Sequence, residues 1–363
     1  MRKCALLFAA IFFSLCLSAM AEGFKKPTRT PSESTPEQRA IINEGIKLHD
    51  EGDYDGAIGK YESVLAANPD NISAIYEMSF SYFAKKDYKK AMEISEKGIE
   101  YNSNLLPAFY MQIANCLDDL GDWEKAVDIY KDSIKQDPQQ HLFHYNLALT
   151  YSHHQMQDLA ISHLKEELYL NPTHSSSNLL LGFSFEENGY RIPSIFALSR
   201  FLILEPRSRR SANALARLQK AINGGVVAKD EKNISITLNP DSKKDEGDFD
   251  SLQMALSLVS AGRFLEKNSN KSAIEKEVEQ FRSFFQILLE MVGKEQSKLK
   301  FTGEYYVPYF LEMQKQGYVE AFVYVIHSGG KDEEVRDWLD KNVEKVRAFQ
   351  EWSKQYQWPQ KKG

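Results

Sequence analysis

Four prolines, Pro69, Pro138, Pro172 and Pro206, stand at a regular spacing that constrains the fold more than any other feature of the sequence. The last two intervals are 34 residues each, and the first, of 69 residues, equals one unit of 34 and one of 35. A fixed period of this length is typical of stacked helix–turn–helix units, each of which buries its apolar face only against its neighbours. The spacing therefore predicts an all-α solenoid for the N-terminal half of the chain.

Other residues recur with the same period as the prolines. Between the two helices of successive units lie Gly-Asp-Tyr (52–54), Lys-Asp-Tyr (86–88), Gly-Asp-Trp (121–123) and Gly-Tyr (189–190). In each of these turns, one residue ends the first helix, and an aromatic residue positions the start of the second helix. The remaining recurrent positions are Gly45, Ala57, Tyr61, Tyr82, Ala91, Tyr110, Ala114, Leu117, Ala126, Tyr130, Leu147, Ala148, Tyr151, Ala160, Leu181, Gly182, Phe185 and Phe201.

This pattern resembles the tetratricopeptide repeat (TPR) family, whose helix A carries an aromatic residue, Leu-Gly and Tyr, and whose helix B carries Ala, an aromatic residue and a closing Pro. The resemblance covers residues 36–223, as units 38–71, 72–106, 107–140, 141–174 and 175–207 with a capping helix over 208–223. Unit two departs most, since Ser95 and Ser103 replace the usual aromatic residue and proline. The resemblance implies a right-handed α-solenoid in which helix A lines a concave face.

The family's geometry also implies which side chains of helix A face the concave groove. They are mostly apolar and aromatic, with acidic residues near the edge at Asp50, Asp118, Asp119, Glu186 and Glu187. We expect a protein or peptide partner to bind there, although part of the stripe can instead pack between helices. The two rows are Ile42, Tyr76, Met111, Tyr145 and Leu179, and Ile46, Phe80, Asn115, Leu149 and Phe183.

Residues of the two rows and of the cap bear on the choice of partner. Family members that clamp the tails of cytosolic chaperones use Lys, Asn and Arg in these rows, and only Asn115 resembles that set. We therefore expect no carboxylate clamp for a chaperone tail. The cap carries Arg207, Arg209 and Arg210, followed by Arg217 and Lys220. These residues bind an anion or simply form the polar outer face that a terminal repeat needs.

The first 21 residues have the pattern of a secretory signal peptide. Met1-Arg2-Lys3 precedes an apolar stretch too short to span a bilayer comfortably, and Ala19-Met20-Ala21 matches a peptidase site. We expect cleavage after Ala21 and export to a bacterial periplasm or to the outside of the cell, with a retained N-terminal anchor as the alternative. Residues 22–35 contain prolines and few large apolar side chains, so they are predicted to be a linker.

Charge and cysteine content narrow the class of protein further. The net charge is −6, and it becomes −8 without Arg2 and Lys3, which argues against a nucleic-acid partner. No later stretch is long and apolar enough to predict a transmembrane segment in the mature chain. Only Cys116 remains after residue 21, so an intramolecular disulfide is excluded. We expect Cys116 to be a small buried residue in a helix.

Residues 224–363 lack the period and resemble no family that we recognise. Ile234, Ile236 and Leu238 alternate within a segment, 224–248, that is predicted to be an extended linker with at most one short strand. A helical domain is predicted over 249–358, with helices at 249–265, 272–292, 305–316, 318–327 and 332–356. Its aromatic residues favour core packing, with a ligand pocket among them as the alternative. They are Phe281, Phe284, Phe285, Phe301, Tyr305, Tyr306, Tyr309, Phe310, Tyr318, Phe322 and Tyr324.

Catalytic and metal-binding motifs are missing from the sequence. It contains no G-x-S-x-G, no G-x-x-x-x-G-K-[ST] and no H-E-x-x-H. Six histidines, at 141, 144, 153, 154, 163 and 174, fall in unit four but on different parts of it, so no metal site is predicted. No catalytic residue, cofactor or cofactor-binding residue is predicted either.

Two classes of function remain open. The first is an exported repeat scaffold or adaptor, without enzymatic activity, that binds a protein segment in its apolar groove. The second is an enzyme, or a protein that binds a small molecule or lipid, with its site in the C-terminal helical domain and the repeats as a docking arm. The missing motifs favour the scaffold.

Overall fold

The structure, a computed structural model, describes residues 26–230, 233–237, 245–265, 268 and 270–361. Within these residues it contains 17 α-helices in consecutive hairpins and one small two-stranded sheet, which confirms the predicted all-α fold class. The predicted signal peptide, residues 1–21, lies outside the described residues. The chain divides into two compact units, residues 1–150 and 151–363.

The first unit consists of helical hairpins, and each helix between residues 36 and 136 contacts the next one along the chain. Since the division falls inside α7, that helix contributes to both units. The helices are α1 (Pro36–Asp50), α2 (Tyr54–Ala67), α3 (Ile72–Ala84), α4 (Tyr88–Gly98), α5 (Leu106–Asp119), α6 (Trp123–Gln136) and α7 (His141–His153).

The second unit continues the hairpins and then changes architecture after residue 223. The continuing helices are α8 (Gln157–Leu170), α9 (Ser175–Glu187), α10 (Arg191–Leu204) and α11 (Ser211–Asn223). A hairpin of β1 (Val226–Asp230) and β2 (Asn233–Ile236) follows. The remaining helices are α12 (Asp250–Ala261), α13 (Ala273–Glu295), α14 (Val307–Lys315), α15 (Val319–His327), α16 (Glu333–Lys341) and α17 (Val343–Gln355).

The prolines of the 34-residue period terminate the second helix of their units. The residue before each proline has an extended φ between −131° and −140°, at Asn68, Asp137, Asn171 and Glu205. A proline ring excludes the helical conformation from the residue before it, so the helix must end there. Unit two has Ser103 in place of the proline, and its second helix ends earlier, at Gly98, with Ile99 still in a helical conformation at φ −70°. The 34-residue period of the prolines therefore marks the points at which the second helices of these units end.

Small residues let the paired helices approach closely. Ala57, Ala91, Ala126 and Ala160 are completely buried. A Cβ atom added to Gly45 of α1 would lie 2.5 Å from the ring of Tyr61 on α2. The two helices therefore meet at a distance that only glycine permits at this position.

The segment predicted as an N-terminal linker lies against the ends of the first two hairpins. The backbone of Arg29 donates to the carbonyl of Glu100 at 2.9 Å, and its own carbonyl accepts from Asn102 at 2.8 Å. The Arg29 guanidinium lies 2.5 Å from Asp70 and 4.5 Å from the centre of the Tyr101 ring. Residues 26–35 are thus bound along the turns between the hairpins rather than free.

Two elements of the C-terminal part differ from the sequence-based expectation. The helix predicted over 332–356 is two helices, because the backbone turns at Asn342, whose φ is −121° and whose side chain donates to the carbonyl of Trp338 at 2.8 Å. The predicted single short strand is paired with a second one, since Val226 opposes Ile236 and Ala228 opposes Ile234 in an antiparallel hairpin. Alternation along β2 was visible in the sequence, whereas its partner strand lacked that signal.

The C-terminal helices of the second unit are joined to the repeats by buried tyrosines. Thr302–Tyr306 forms a π-helical turn ahead of α14. From this turn Tyr305 donates to the carbonyl of Leu168 on α8, and Tyr306 donates to Asn178 on α9, both at 2.8 Å. Helix α10 contacts α11, α12, α15 and the π turn. No helix in the described ranges is long and apolar enough to cross a membrane.

Candidate protein-binding groove

The structure leaves most of the predicted groove residues accessible. Eight of the ten are partly or largely exposed. Ile42 and Leu179 are not, with 5% and 8% of their surface accessible, so their assignment to the groove is corrected. Ile42 belongs to a core cluster with Ala57 and Tyr61 of α2. Leu179 follows Asn178, whose buried side chain accepts a hydrogen bond from Tyr306 of the π turn.

An aromatic ladder on the first helices of the first two hairpins is the central feature of the groove in the first unit. The ring of Phe80 stacks on His49 at 5.0 Å and on Tyr76 at 6.4 Å, with interplanar angles of 18° and 10°. Tyr76 in turn meets the buried Phe109 edge-to-face at 5.7 Å. Phe80 nevertheless keeps 40% of its surface accessible. A stack of rings that remains partly accessible is a suitable surface for an apolar side chain.

The sequence-based prediction of the groove omitted His49, although its spacing from Ile46 indicated that it belongs to the same face. It follows Ile46 by three positions on α1 and therefore lies on the same helix face. Its Nδ1 atom lies 2.8 Å from the hydroxyl of Ser81, and its ring also meets Tyr54 edge-to-face at 5.2 Å. These contacts fix the imidazole as the first ring of the ladder.

Carboxylates give the ladder an acidic border. Burial raises the pKa of the Glu77 carboxyl, and the neighbouring charge of Asp50 adds to the effect. Asp118, further along, accepts a hydrogen bond from Thr150 at 3.0 Å. Because desolvation and like charge both disfavour ionised Glu77, the attraction of a cation placed here would offset the two penalties.

The polar residues in the predicted rows have partners within the fold. Asn115 accepts a hydrogen bond from the buried Tyr130 hydroxyl at 2.6 Å. Met111 receives the side-chain amide of Asn146 at its sulfur, at 3.5 Å. The one residue that resembles a carboxylate clamp is thus engaged inside its own repeat.

In the second unit, the basic residues of the cap have acidic and aromatic neighbours. Arg217 covers the ring of Phe183 at 4.2 Å and pairs with Glu186 at 2.9 Å. Arg210 pairs with Glu205 at 2.5 Å and, with other hydrogen bonds, lowers the pKa of that carboxyl to about 2. These contacts neutralise much of the patch in which an anion could bind.

The aromatic residues of the C-terminal helices form a core. Ten of the eleven named above are buried, and Tyr318 is partly buried. Phe285, for example, lies 5.5 Å from Phe310 and 6.5 Å from Phe322. Packing therefore accounts for these residues.

Comparison with known proteins supports the nature of the repeats. Residues 50–133 match the family described as anaphase-promoting complex, cyclosome, subunit 3. A TPR repeat-containing protein of Methanocaldococcus jannaschii is 30% identical over 111 residues, which are 30% of this chain and 19% of that protein. The chain carries tetratricopeptide repeats. Repeats of this type are typically non-catalytic protein-interaction scaffolds.

Two further proteins are similar to parts of this chain. The Hsp70-Hsp90 organising protein of Plasmodium falciparum is 25% identical over 119 residues, 31% of this chain and 21% of that protein. A thermophilic TPR protein of Thermus thermophilus has a crystal structure with 20% identity and a TM-score of 0.44. It covers 51% of this chain and 98% of its own. The chain spans about a fifth of the length of the two curated relatives.

Proposed function

We propose that the first unit binds an extended protein segment along the face presented by α1, α3 and α5. The observation that carries this proposal is the ladder of His49, Phe80 and Tyr76, because these stacked rings stay partly accessible in the unit and Phe80 keeps 40% of its surface exposed. Exposed aromatic groups of this kind are common anchors of protein interfaces. Ile46, Met111, Tyr145 and Leu149 extend the accessible apolar surface.

The charge beside the ladder points to the chemistry of the segment. Asp50 and Glu77 border it, and Glu77 is destabilised in its charged form by burial. A segment that combines an apolar residue with a lysine or arginine would satisfy both the rings and the carboxylates. The proposed partner is therefore a basic and apolar protein segment, not the acidic tail of a chaperone and not a nucleic acid.

The proposed role is that of a scaffold or adaptor without enzymatic activity or cofactor. The rival site, a ligand pocket among the C-terminal aromatic residues, has less support because these residues fill a core. The predicted domain boundaries, 36–223 and 249–358, belong to the same proposal.

The proposal also includes export of the protein from the cytoplasm. The signal-peptide pattern of residues 1–21 supports a periplasmic or secreted scaffold. Intact-mass measurement of the protein from its native host is expected to give a chain that starts at Glu22. Recovery of a chain that starts at Met1 from the membrane fraction would overturn the proposal of export.

Selection from a random-peptide library displayed on phage tests the groove, with residues 22–363 as bait. We expect the selected peptides to be enriched in apolar residues and in lysine or arginine. The double substitution Tyr76→Ala and Phe80→Ala is expected to weaken the binding of a selected peptide at least tenfold, about 1.4 kcal/mol, because it removes the open rings of the ladder.

A matched control lies in the same repeat. Phe83 and Tyr88 form an edge-to-face pair at 5.3 Å outside the predicted rows. The double substitution Phe83→Ala and Tyr88→Ala removes the same types of side chain, and we expect it to leave peptide affinity within about twofold. Equal losses in the two variants, or a loss only with Arg209→Ala and Arg210→Ala, would contradict the groove.

A further inference from the structure

Residues 357–361, which follow α17, form an extended strap on the second unit. Within the described ranges, the backbone of this strap forms no hydrogen bond with the rest of the unit. Side chains alone hold it: the ammonium group of Lys361 pairs with Glu166 at 2.7 Å on the surface, and the indole of Trp358 is buried. A segment held in this way detaches at lower cost than one that is also paired through its backbone.

The indole of Trp358 lies in a cage of tyrosine rings. It stacks on Tyr309 at 5.0 Å with an interplanar angle of 17°, and its centre is 4.8 Å from that of Tyr305. Tyr356 meets it at 5.2 Å and at a steep angle of 75°. The cage of Tyr305, Tyr309 and Tyr356 therefore fits a flat aromatic ring, which contacts it through both face and edge.

Arg200 of α10 lies directly against the indole in this cage. Its guanidinium carbon is 4.8 Å from the centre of the Trp358 ring, and the residue is 1% exposed. Its Nη1 atom donates to the hydroxyl groups of Ser353 and Tyr309, whereas Nε and Nη2 donate to no group in the described residues. A buried cation with unused donors and no anion is unfavourable, so a group that supplies an anion here would be stabilised.

We propose that the strap covers a binding site for a small aromatic acid, a flat ring that carries a carboxylate on a short stem. The ring of the ligand takes the place of the Trp358 indole in the cage, and its carboxylate accepts hydrogen bonds from the unused donors of Arg200. Because the site has the size of one side chain, the packed core of the C-terminal helices stays intact when the ligand binds. The site is independent of the groove in the first unit.

The unpaired charge of Arg200 favours opening of the strap. While the strap is closed, the indole keeps water and anions away from the guanidinium group. When it opens, solvation of this group offsets part of the stacking energy lost between Trp358 and the tyrosines. The difference in free energy between the closed and open states is therefore smaller than the ring contacts alone indicate. A ligand that pairs with Arg200 shifts the equilibrium towards the open state.

Isothermal titration calorimetry with the protein and its Trp358→Ala variant tests the site. The probes are indole-3-propionate, 3-methylindole as the uncharged match of its ring, and an acetylated peptide of residues 355–361. We expect the variant to bind indole-3-propionate at least tenfold more tightly than 3-methylindole. The wild type is expected to bind indole-3-propionate at least tenfold more weakly than the variant, because its strap competes for the cage.

Four results would overturn the proposal. Failure of the variant to bind indole-3-propionate would show that the cage does not accept the acid. Equal affinity of the variant for the two indoles would show that the substitution had only created a cavity. Absence of binding by the wild type at millimolar concentration would show that the strap stays closed. Binding of the peptide without binding of the acid would assign the cage to a protein segment.

Two further substitutions separate the effect of charge from that of space. Arg200→Met, combined with Trp358→Ala, removes the cation and keeps a similar volume, so we expect it to abolish the preference for indole-3-propionate over 3-methylindole. Trp352→Ala is the matched control, because its indole lies 4.9 Å from Tyr309 but is not one of the rings that Arg200 covers. A gain in affinity with Trp352→Ala equal to that with Trp358→Ala would contradict the assignment of the site.

Lys361→Ala keeps the test decisive if Trp358→Ala prevents folding, which circular dichroism would reveal. It removes the surface ion pair with Glu166 and leaves the cage unchanged. A looser strap is expected to tighten the binding of indole-3-propionate at least twofold, whereas Lys354→Ala, at an exposed lysine of α17, should have no such effect. Unchanged affinity in the folded Lys361→Ala variant would show that the strap does not control access to the site.

Discussion

At the scale of single residues, one backbone position recurs in every repeat. Gly52, Lys86, Gly121, Gln155 and Gly189 all have positive φ, between 60° and 91°, at the turn between the two helices of a hairpin. Glycine adopts this conformation freely, whereas other L-residues pay about 1 kcal/mol or more. Two of the five turns therefore store backbone strain that the others avoid.

Replacement of Gln155 by glycine is expected to stabilise the protein. Gln155 is exposed with φ 60°, so Gln155→Gly relieves strain and loses little packing. After allowance for the greater freedom of glycine in the unfolded chain, the gain should be about 0.5–1 kcal/mol. Urea unfolding monitored by circular dichroism measures it.

Gly189 provides the reverse control for this change. It has φ 82°, and a Cβ atom there would meet no heavy atom within 4 Å. Gly189→Ala therefore tests the backbone alone, and it is expected to destabilise the protein by about 1 kcal/mol. Destabilisation by both substitutions would contradict the account of strain at these turns.

At the scale of elements, α10 is the helix most completely enclosed by its neighbours. Every residue from Ile192 to Leu202 is buried. Arg200 lies in this stretch with 1% of its surface exposed, hydrogen-bonded to Ser353 at 2.9 Å and 4.8 Å from the centre of the Trp358 ring. In the described part of the chain its charge is opposed by no carboxylate, and burial lowers the pKa of the guanidinium. A buried cation without an anion is normally a cost to stability.

Replacement of Arg200 by methionine is expected to maintain or increase stability. Methionine fills a similar space, and Tyr309 and Ser353 remain hydrogen-bonded to each other at 2.7 Å. Removal of an unpaired buried charge should give about 0–2 kcal/mol of added stability. Thermal unfolding followed by calorimetry measures the change.

Arg200→Ala separates the effect of charge from that of volume. It removes the same charge but leaves a cavity, and we expect a loss of about 2–5 kcal/mol. A loss of comparable size with Arg200→Met would show that the hydrogen bonds and ring contacts of Arg200 outweigh the cost of its burial.

At the scale of the whole molecule, the fold depends on packing without covalent cross-links in the described residues. Cys116 is the free cysteine there, and burial raises the pKa of its thiol to about 12, so it is an inert core residue as predicted. In the second unit the repeats and the C-terminal helices share buried contacts, such as those of Tyr305 and Tyr306. The last repeats therefore rely on these helices for part of their core, in addition to helix α11, which contacts α10.

The sequence by itself determined the repeated hairpins, because their signals are local. Proline ends a helix through its own ring, glycine permits a left-handed turn, and alanine permits close approach of a neighbouring helix. Each of Pro69, Gly52 and Ala57 therefore has a local effect that does not depend on residues distant in the sequence. The tertiary structure alone decided the burial of Ile42 and Leu179, the break at Asn342 and the position of His49 in the ladder. These depend on which neighbouring helix covers a given face. A periodic pattern identifies a face of a helix, but the contacts that cover it come from residues distant in the sequence.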